Sequence, residues 1–138
     1  ITGAGGAFGA MIKHSGIGEA IQMVLVDFHI HYIFLAWLIS SAMKTAQGSS
    51  TIAVITTAGI MYAIVGDGAD LPYHPIYLFL SIGFGGLFVS WMNDSGFWVI
   101  TRMSGMSEKE GLKYVSPMST LAGLAGLIAI VIAVLIFP

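Results

Sequence analysis

The sequence predicts an all-α integral membrane protein with one full transmembrane span, a re-entrant hairpin and broken helices. Hydrophobic residues make up 57% of the 138 residues and charged residues only 9%, with a mean hydropathy of +0.90. Soluble domains carry about 25% charged residues, so lipid is the expected solvent. One apolar stretch near the C-terminal end is uninterrupted and long enough to cross a bilayer, whereas the other apolar runs are shorter and broken by polar residues.

The charge balance, the cysteine content and the first residues limit which partners and sites the chain can have. A net charge of −2 gives no argument for a nucleic-acid partner. The absence of cysteine excludes disulfides and thiolate metal sites. The chain starts at Ile1 in a glycine-rich stretch, with neither an initiating methionine nor the charged segment of a signal peptide. We therefore expect these residues to come from the interior of a longer protein.

Asp27, His29 and His31 form the first polar cluster, directly before Tyr32. Two histidines and a carboxylate can bind a metal ion, but a spacing of two suits one face of a strand, and a helix separates His29 from the others. The favoured interpretation is a polar collar at the membrane interface, and a proton relay is the alternative.

The next two apolar runs, residues 32–43 and 51–65, flank the polar segment KTAQGSS. The first run, if helical, reaches only about 18 Å, roughly half of a bilayer's thickness. Two half-length helices around a Gly/Ser-rich tip indicate a re-entrant hairpin or an unwound helix. Such backbone persists at membrane depth only when it is buried in protein or lines a water-filled cavity.

A second break follows the apolar run 76–92, where Asn-Asp-Ser-Gly precedes the short run 97–103. The first three of these side chains compete for backbone hydrogen bonds, and glycine accepts turn conformations. We predict a discontinuous helix with its unwound part at residues 93–96.

The uninterrupted span covers residues 118–137 and contains no charge. Pro117 suits the first turn of this helix. Ser107 and Glu110 have the spacing of a capping box, which predicts a short amphipathic helix starting after Met106. Small residues recurring four apart in the span allow another helix to approach closely. These pairs are Ser119 with Gly123 and Ala122 with Gly126.

Lysine and arginine set the expected orientation. Arg102, Lys109 and Lys113 lie in one short connection, which the positive-inside rule places in the cytoplasm. Residues 66–75 hold two aspartates and neither lysine nor arginine, so they are expected outside. The last span then runs from inside to outside.

Lys44 and Asp94 are ionisable groups in apolar regions, each beside a predicted break. A charge at bilayer depth costs at least about 2.5 kcal/mol, so it must be paired or solvated by a cavity. The alternatives are that Lys44 extends to an interface and that Asp94 caps a helix. A cap in the middle of the membrane still places a carboxylate in the cavity.

Three stretches of the chain closely resemble the C-terminal third of the gluconate:proton symporter family. They are ITGAGGAFGAMIKHSGIGEAI, MKTAQGSSTIAVITTAGI and SWMNDSGFWVITRMSGMS, and the resemblance covers essentially all 138 residues. It implies a multi-pass permease of the bacterial inner membrane in the ion transporter superfamily. Such permeases resemble two inverted repeats, form homodimers and move substrate by an elevator motion. Residues 1–138 would be the C-terminal portion of the transport domain, with the N-terminal part of the permease as a necessary partner.

The resemblance implies proton-coupled symport of gluconate or a related sugar acid or hydroxy carboxylate, without a cofactor, a catalytic residue or a metal site. Asp94 is the candidate for the coupled proton, because an arriving anion favours a protonated carboxyl. The other candidates can attract the anion, exchange hydrogen bonds with its hydroxyls or let the backbone approach it. These substrate-binding candidates are Lys44, Gln47, Gly48, Ser49, Ser50, Thr51, Asn93 and Ser95.

Other substrates and other functions stay open at this point. The substrate can be gluconate, another aldonate, glycerate or an amino acid such as serine. A small structural membrane subunit is one rival, but it gives no reason for two polar breaks. An intramembrane enzyme is the other, but the sequence has no paired-Asp, Ser/Lys or His/Glu signature. We therefore predict a transporter and not an enzyme.

Overall fold

A computed structural model describes residues 31–66 and 71–137, so Asp27 and His29 lie outside the described residues. The described part consists of helices without a strand, which confirms the all-α class for this part. The helices are α1 (Tyr32–Gln47), α2 (Ser50–Val65), α3 (Pro75–Gly85), α4 (Ser95–Met103) and α5 (Glu108–Ile136).

Helix α1 packs against α2, α3 and α5, α2 also packs against α3, and α3 and α4 pack against α5. Serine hydroxyls join α1 to α3: Ser40 donates to the Ile82 carbonyl at 2.7 Å, and Ser81 donates to the Ile33 carbonyl at 2.5 Å. Helices in lipid gain little from apolar burial, so close packing and interhelical hydrogen bonds stabilise their association.

Helices α1 and α2 form the helical hairpin that the sequence predicted. Each has 16 residues, a length of about 24 Å, which is less than the hydrocarbon core. The polar tip is narrower than the predicted segment 44–50, because α1 continues to Gln47 and only Gly48 and Ser49 separate the helices. Lysine and glutamine are good helix formers, and the chain leaves the helix only at Gly48, which adopts a left-handed conformation.

The break between α3 and α4 is longer than predicted and starts earlier. Helix α3 ends at Gly85, and α4 begins at Ser95. The placement of the unwound part at residues 93–96 was therefore wrong, since the break covers residues 86–94 and Ser95 is already helical. Glycine is a poor helix former, which explains the early end, and Asp94 begins the next helix as its N-cap.

Helix α5 is one continuous helix of 29 residues with Pro117 in its interior. The prediction that Pro117 marks the start of the span was wrong, and the amphipathic helix expected after Met106 is the first part of the same helix. The capping box of Ser107 and Glu110 is confirmed, with both reciprocal bonds present. Pro117 removes only the one backbone donor that would reach the Lys113 carbonyl, which a long, well-capped helix tolerates.

The small residues of α5 let α3 and the following break approach closely. A Cβ at Gly126 would lie 2.1 Å from the Phe84 ring, and one at Gly123 would lie 3.0 Å from the Phe84 carbonyl oxygen. The indole of Trp37 donates to the Gly123 carbonyl at 3.1 Å, which also brings α1 to this point. The predicted close approach is therefore confirmed at these two glycines.

Among the described residues, α5 is the one helix that is long and apolar enough to cross a membrane, and little of it is buried. Met118, Leu121, Ile128 and Leu135 are all exposed. The core helix of a soluble protein would bury such residues. The helix therefore supports a membrane location.

Candidate functional site

The two ionisable residues singled out by the sequence form one buried ion pair. The Nζ atom of Lys44 lies 2.5 Å from Oδ2 of Asp94, and both residues are buried. Lys44 belongs to the last turn of α1, and Asp94 immediately precedes α4. Lys44 therefore does not extend to an interface, and each charge has the partner that an apolar environment requires.

The Asp94 carboxylate accepts hydrogen bonds from three directions. Its Oδ1 accepts from the Gly96 N–H at 2.9 Å, so the side chain caps α4, as the alternative interpretation of this residue predicted. Its Oδ2 accepts from Lys44 and from the hydroxyl of Ser90. These donors replace the water that burial removes from the carboxylate.

Gly48 places the hairpin tip directly against the break. Its φ of +72° and its N–H bond to the Lys44 carbonyl, 2.8 Å long, end α1. A Cβ at this position would lie 2.1 Å from the carbonyl oxygen of Asn93. The Gly48 carbonyl lies 3.4 Å from Nζ of Lys44 and is its second acceptor. Glycine is thus needed here for both its backbone conformation and its lack of a side chain.

The break in turn satisfies the open end of α1. The Asn93 amide donates to the Thr45 carbonyl at 2.8 Å, and the Trp91 indole donates to the same carbonyl at 3.1 Å. The last carbonyls of a helix have no partner within the helix. Side chains of the break supply those partners, which fixes the tip and the break relative to each other.

Two helix N-termini start at this junction, which comprises the tip and the end of the break. Ser49 caps α2 through its hydroxyl, which accepts from the Ile52 N–H at 3.4 Å, and Asp94 caps α4. Both caps directly follow the contact between Gly48 and Asn93. Helix N-termini carry free N–H donors and a partial positive charge, so the junction is suited to an anion.

Ser90 connects this site to α5. Its hydroxyl donates to Asp94, its N–H donates to Ser119 at 2.9 Å, and its carbonyl accepts from Ser116 at 2.6 Å. The preceding Val89 has a φ of +43°, which is strained for a β-branched residue. The bonds of Ser90 hold this part of the break in place. The sequence analysis missed Ser90, although a serine in an apolar run four residues before Asp94 was a usable signal.

Only some of the other predicted site residues lie next to the junction. Ser49 and Ser95 lie next to the junction as a cap and a first helical residue. Gln47 is exposed, and its amide contacts the Met43 sulfur at 3.9 Å. Ser50 and Thr51 lie instead at a groove of about 500 Å³ between α2 and α3. Apart from these two, the groove is lined by apolar residues and glycines, so it offers few donors to an anion.

The described ranges, 31–66 and 71–137, hold no group of three or more side chains that could bind a metal ion. His31, the member of the first polar cluster that the structure describes, is exposed and stacks on Tyr73 with ring centroids 4.8 Å apart. Within the described residues, the junction around Lys44 and Asp94 is therefore the candidate site, because it combines a buried ion pair with two helix N-termini.

The family profile and the individual relatives that the chain resembles are all permeases or transporters. The sequence profile described as GntP family permease matches residues 1–136. The inner membrane permease YgbN of Escherichia coli K12 is 38% identical over 91% of the chain and 27% of its own length. The gluconate permease of Pseudomonas aeruginosa PAO1 is 36% identical over 99% of the chain and 30% of its own length. The D-serine transporter DsdX of E. coli K12 is 31% identical over 92% and 28%, respectively.

The chain spans less than a third of the length of these three relatives, from 27% to 30%. No solved structure matches it significantly. The profile covers nearly the whole chain, and the relatives named above are permeases and transporters rather than enzymes. The chain belongs to the GntP permease family.

Proposed function

We propose that the complete permease containing this chain is a proton-coupled symporter for gluconate or a related sugar acid or hydroxy carboxylate. The observation that carries the proposal is the buried Lys44–Asp94 pair at the junction of two helix N-termini. A relative of 36% identity is named a gluconate permease, and another of 30% a low-affinity gluconate transporter. Residues 1–138 form the C-terminal portion of its transport domain in the bacterial inner membrane.

The junction offers what a hydroxylated carboxylate requires. Lys44 and the N–H groups at the starts of α2 and α4 attract the carboxylate. Asn93 and Ser95 are exposed beside it and can exchange hydrogen bonds with substrate hydroxyls. Asp94 is the intramembrane acid that can carry the coupled proton.

An α-amino acid is the second candidate substrate class, because one relative is named a D-serine transporter. Its carboxylate suits the same cationic site, and its ammonium group suits the Asp94 carboxylate. Competition of gluconate uptake by D-serine and by D-glycerate, which differ at one substituent, separates the two classes.

The remaining parts of the proposal rest on the family resemblance. The N-terminal part of the permease contributes the other half of the site, and residues 1–138 form the second of two inverted repeats. Two permeases assemble as a homodimer and move the site across the membrane by an elevator motion. A homodimer predicts twice the protomer mass for the purified permease in native mass spectrometry.

Asp94→Asn should separate transport from proton coupling in the complete permease. Asparagine keeps the size and an acceptor oxygen but cannot exchange a proton. We expect loss of uphill gluconate accumulation driven by a pH gradient in proteoliposomes, while gluconate exchange persists. Glu108→Gln, at an exposed acid on α5, is the matched control and should keep both activities. Unchanged pH-driven accumulation in Asp94→Asn would remove Asp94 from the coupling step.

The orientation of the chain is a separate prediction. Residues 103–116 should face the cytoplasm and residues 66–75 the outside, because lysine and arginine favour the cytoplasmic side. In a cysteine-free permease, a membrane-impermeant maleimide added to intact cells should label Pro72→Cys and leave Lys109→Cys unlabelled. The reverse pattern would invert the orientation of the span.

A further inference from the structure

The ion pair leads to an inference that rests on the proposed function and specifies how its site works. We propose that the carboxylate of the substrate replaces Asp94 as the partner of Lys44, and that the released Asp94 takes up one proton. The site then loads a monocarboxylate together with a single proton and without a net change of charge.

The contacts of Lys44 favour an exchange of partners. In the described residues its ammonium group has two acceptors, Oδ2 of Asp94 at 2.5 Å and the Gly48 carbonyl at 3.4 Å. A buried ammonium requires an anion, and the carboxylate of a ligand is chemically equivalent to that of Asp94. The ligand can therefore take the position of Asp94 without leaving Lys44 unpaired.

The charges around the pair determine where the proton goes. The empty site is neutral, because Lys44 and Asp94 cancel each other. A bound monoanion adds one negative charge at a buried position, which is unfavourable unless a proton or a cation accompanies it. Lys44 stays ionised because it keeps an anionic partner, so the proton binds to the Asp94 carboxylate.

No other charged group contacts Asp94 in residues 31–66 and 71–137. Its partners there are Lys44 from α1, the Ser90 hydroxyl from the break and the Gly96 N–H from α4. Helix α5 contributes only the hydroxyls of Ser116 and Ser119, through Ser90. The tip before α2 contributes the Gly48 carbonyl, through Lys44.

A protonated Asp94 would keep hydrogen-bonding partners after Lys44 leaves it. Its unprotonated oxygen, Oδ1, can still accept from the Gly96 N–H, so Asp94 still caps α4 through this 2.9 Å bond. Its new O–H can donate to the Ser90 oxygen, because a hydroxyl is both donor and acceptor. The exchange forms one O–H bond at Asp94 and breaks one O–H bond of a hydronium ion, which leaves as water, while every covalent bond of the ligand stays intact.

The exchange defines a class of ligand. A sugar acid such as gluconate supplies the carboxylate but no cation, so it binds with a proton. The amide of the same sugar acid has no charge to offer Lys44 and should bind poorly. An α-amino acid carries an ammonium group that can remain near ionised Asp94, so it binds without a proton.

Proton uptake on binding tests the proposal with the purified complete permease in detergent. At weakly buffered pH near 7.5, we expect about one proton per gluconate bound, and affinity that falls about tenfold for each added pH unit. Gluconamide, the uncharged amide, should bind at least about tenfold more weakly and take up no proton. Asp94→Asn should bind gluconate without proton uptake, while Glu108→Gln should keep the wild-type proton count.

The outcomes separate this inference from the proposed function. Gluconate binding without proton uptake, unaltered proton uptake in Asp94→Asn, or equal affinity for gluconamide would each overturn the exchange. The proposed function would stand in those cases if pH-driven gluconate uptake persists. Absence of binding of both gluconate and D-glycerate would overturn both. If Asp94→Asn does not fold, the number of protons taken up by the wild type and the affinity for gluconamide still test the exchange.

Discussion

Replacing Gly48 by alanine is expected to abolish the gluconate uptake that we propose for the complete permease. A Cβ at this position would lie 2.1 Å from the Asn93 carbonyl oxygen and 2.5 Å from its carbonyl carbon, both of which are backbone atoms. The φ of +72° adds about 1–2 kcal/mol for any residue with a side chain. The hairpin tip must then move away from the break, which separates Lys44 from Asp94.

Gly105→Ala is the matched control for this substitution. Gly105 has a φ of +65°, so alanine meets the same backbone penalty, but a Cβ there has no atom within 4 Å. Uptake by proteoliposomes and thermal unfolding of the purified permease should both change far more in Gly48→Ala than in Gly105→Ala. Equal effects in the two variants would show that the contact between tip and break has no role in transport.

The sequence was sufficient to predict the features that depend on local chemistry. A hairpin of two helices around Gly48 and Ser49, and the capping box of Ser107 and Glu110, are present in the structure. A glycine in a left-handed conformation and a reciprocal cap are determined by a few neighbouring residues. Such features can therefore be inferred without knowing the fold.

The boundaries of the other helices could not be predicted because tertiary packing decides them. Helix α5 continues through Pro117, whose neighbours Ser116 and Ser119 bond to the break. The break itself starts after Gly85 rather than at Asn93. A Cβ at Gly85 would lie 2.6 Å from the Trp37 carbonyl oxygen, so this glycine is needed for the packing of α3 on α1.

For the site, too, the sequence indicated what each charged residue needs but not which residue it contacts. The cost of burying a charge indicated that Lys44 and Asp94 each need a partner or a cavity. It did not indicate that they pair with each other, because 50 positions separate them. The contact depends on how the hairpin packs beside the break, and that arrangement brings Gly48 to Asn93 at the same time.

Lys44→Met is expected to reduce the free energy of unfolding of the complete permease by about 3–5 kcal/mol, because it leaves the Asp94 carboxylate buried without its cation. Methionine preserves much of the volume and the unbranched shape of lysine, so packing changes little.

Introducing Asp94→Asn into Lys44→Met removes the unpaired charge and should recover much of that loss of unfolding free energy. Denaturant unfolding in detergent of the wild type, both single variants and the double variant gives the coupling energy. Additive effects of the two substitutions would contradict an energetically coupled pair. A strong coupling energy would instead establish that the ion pair holds the hairpin to the break.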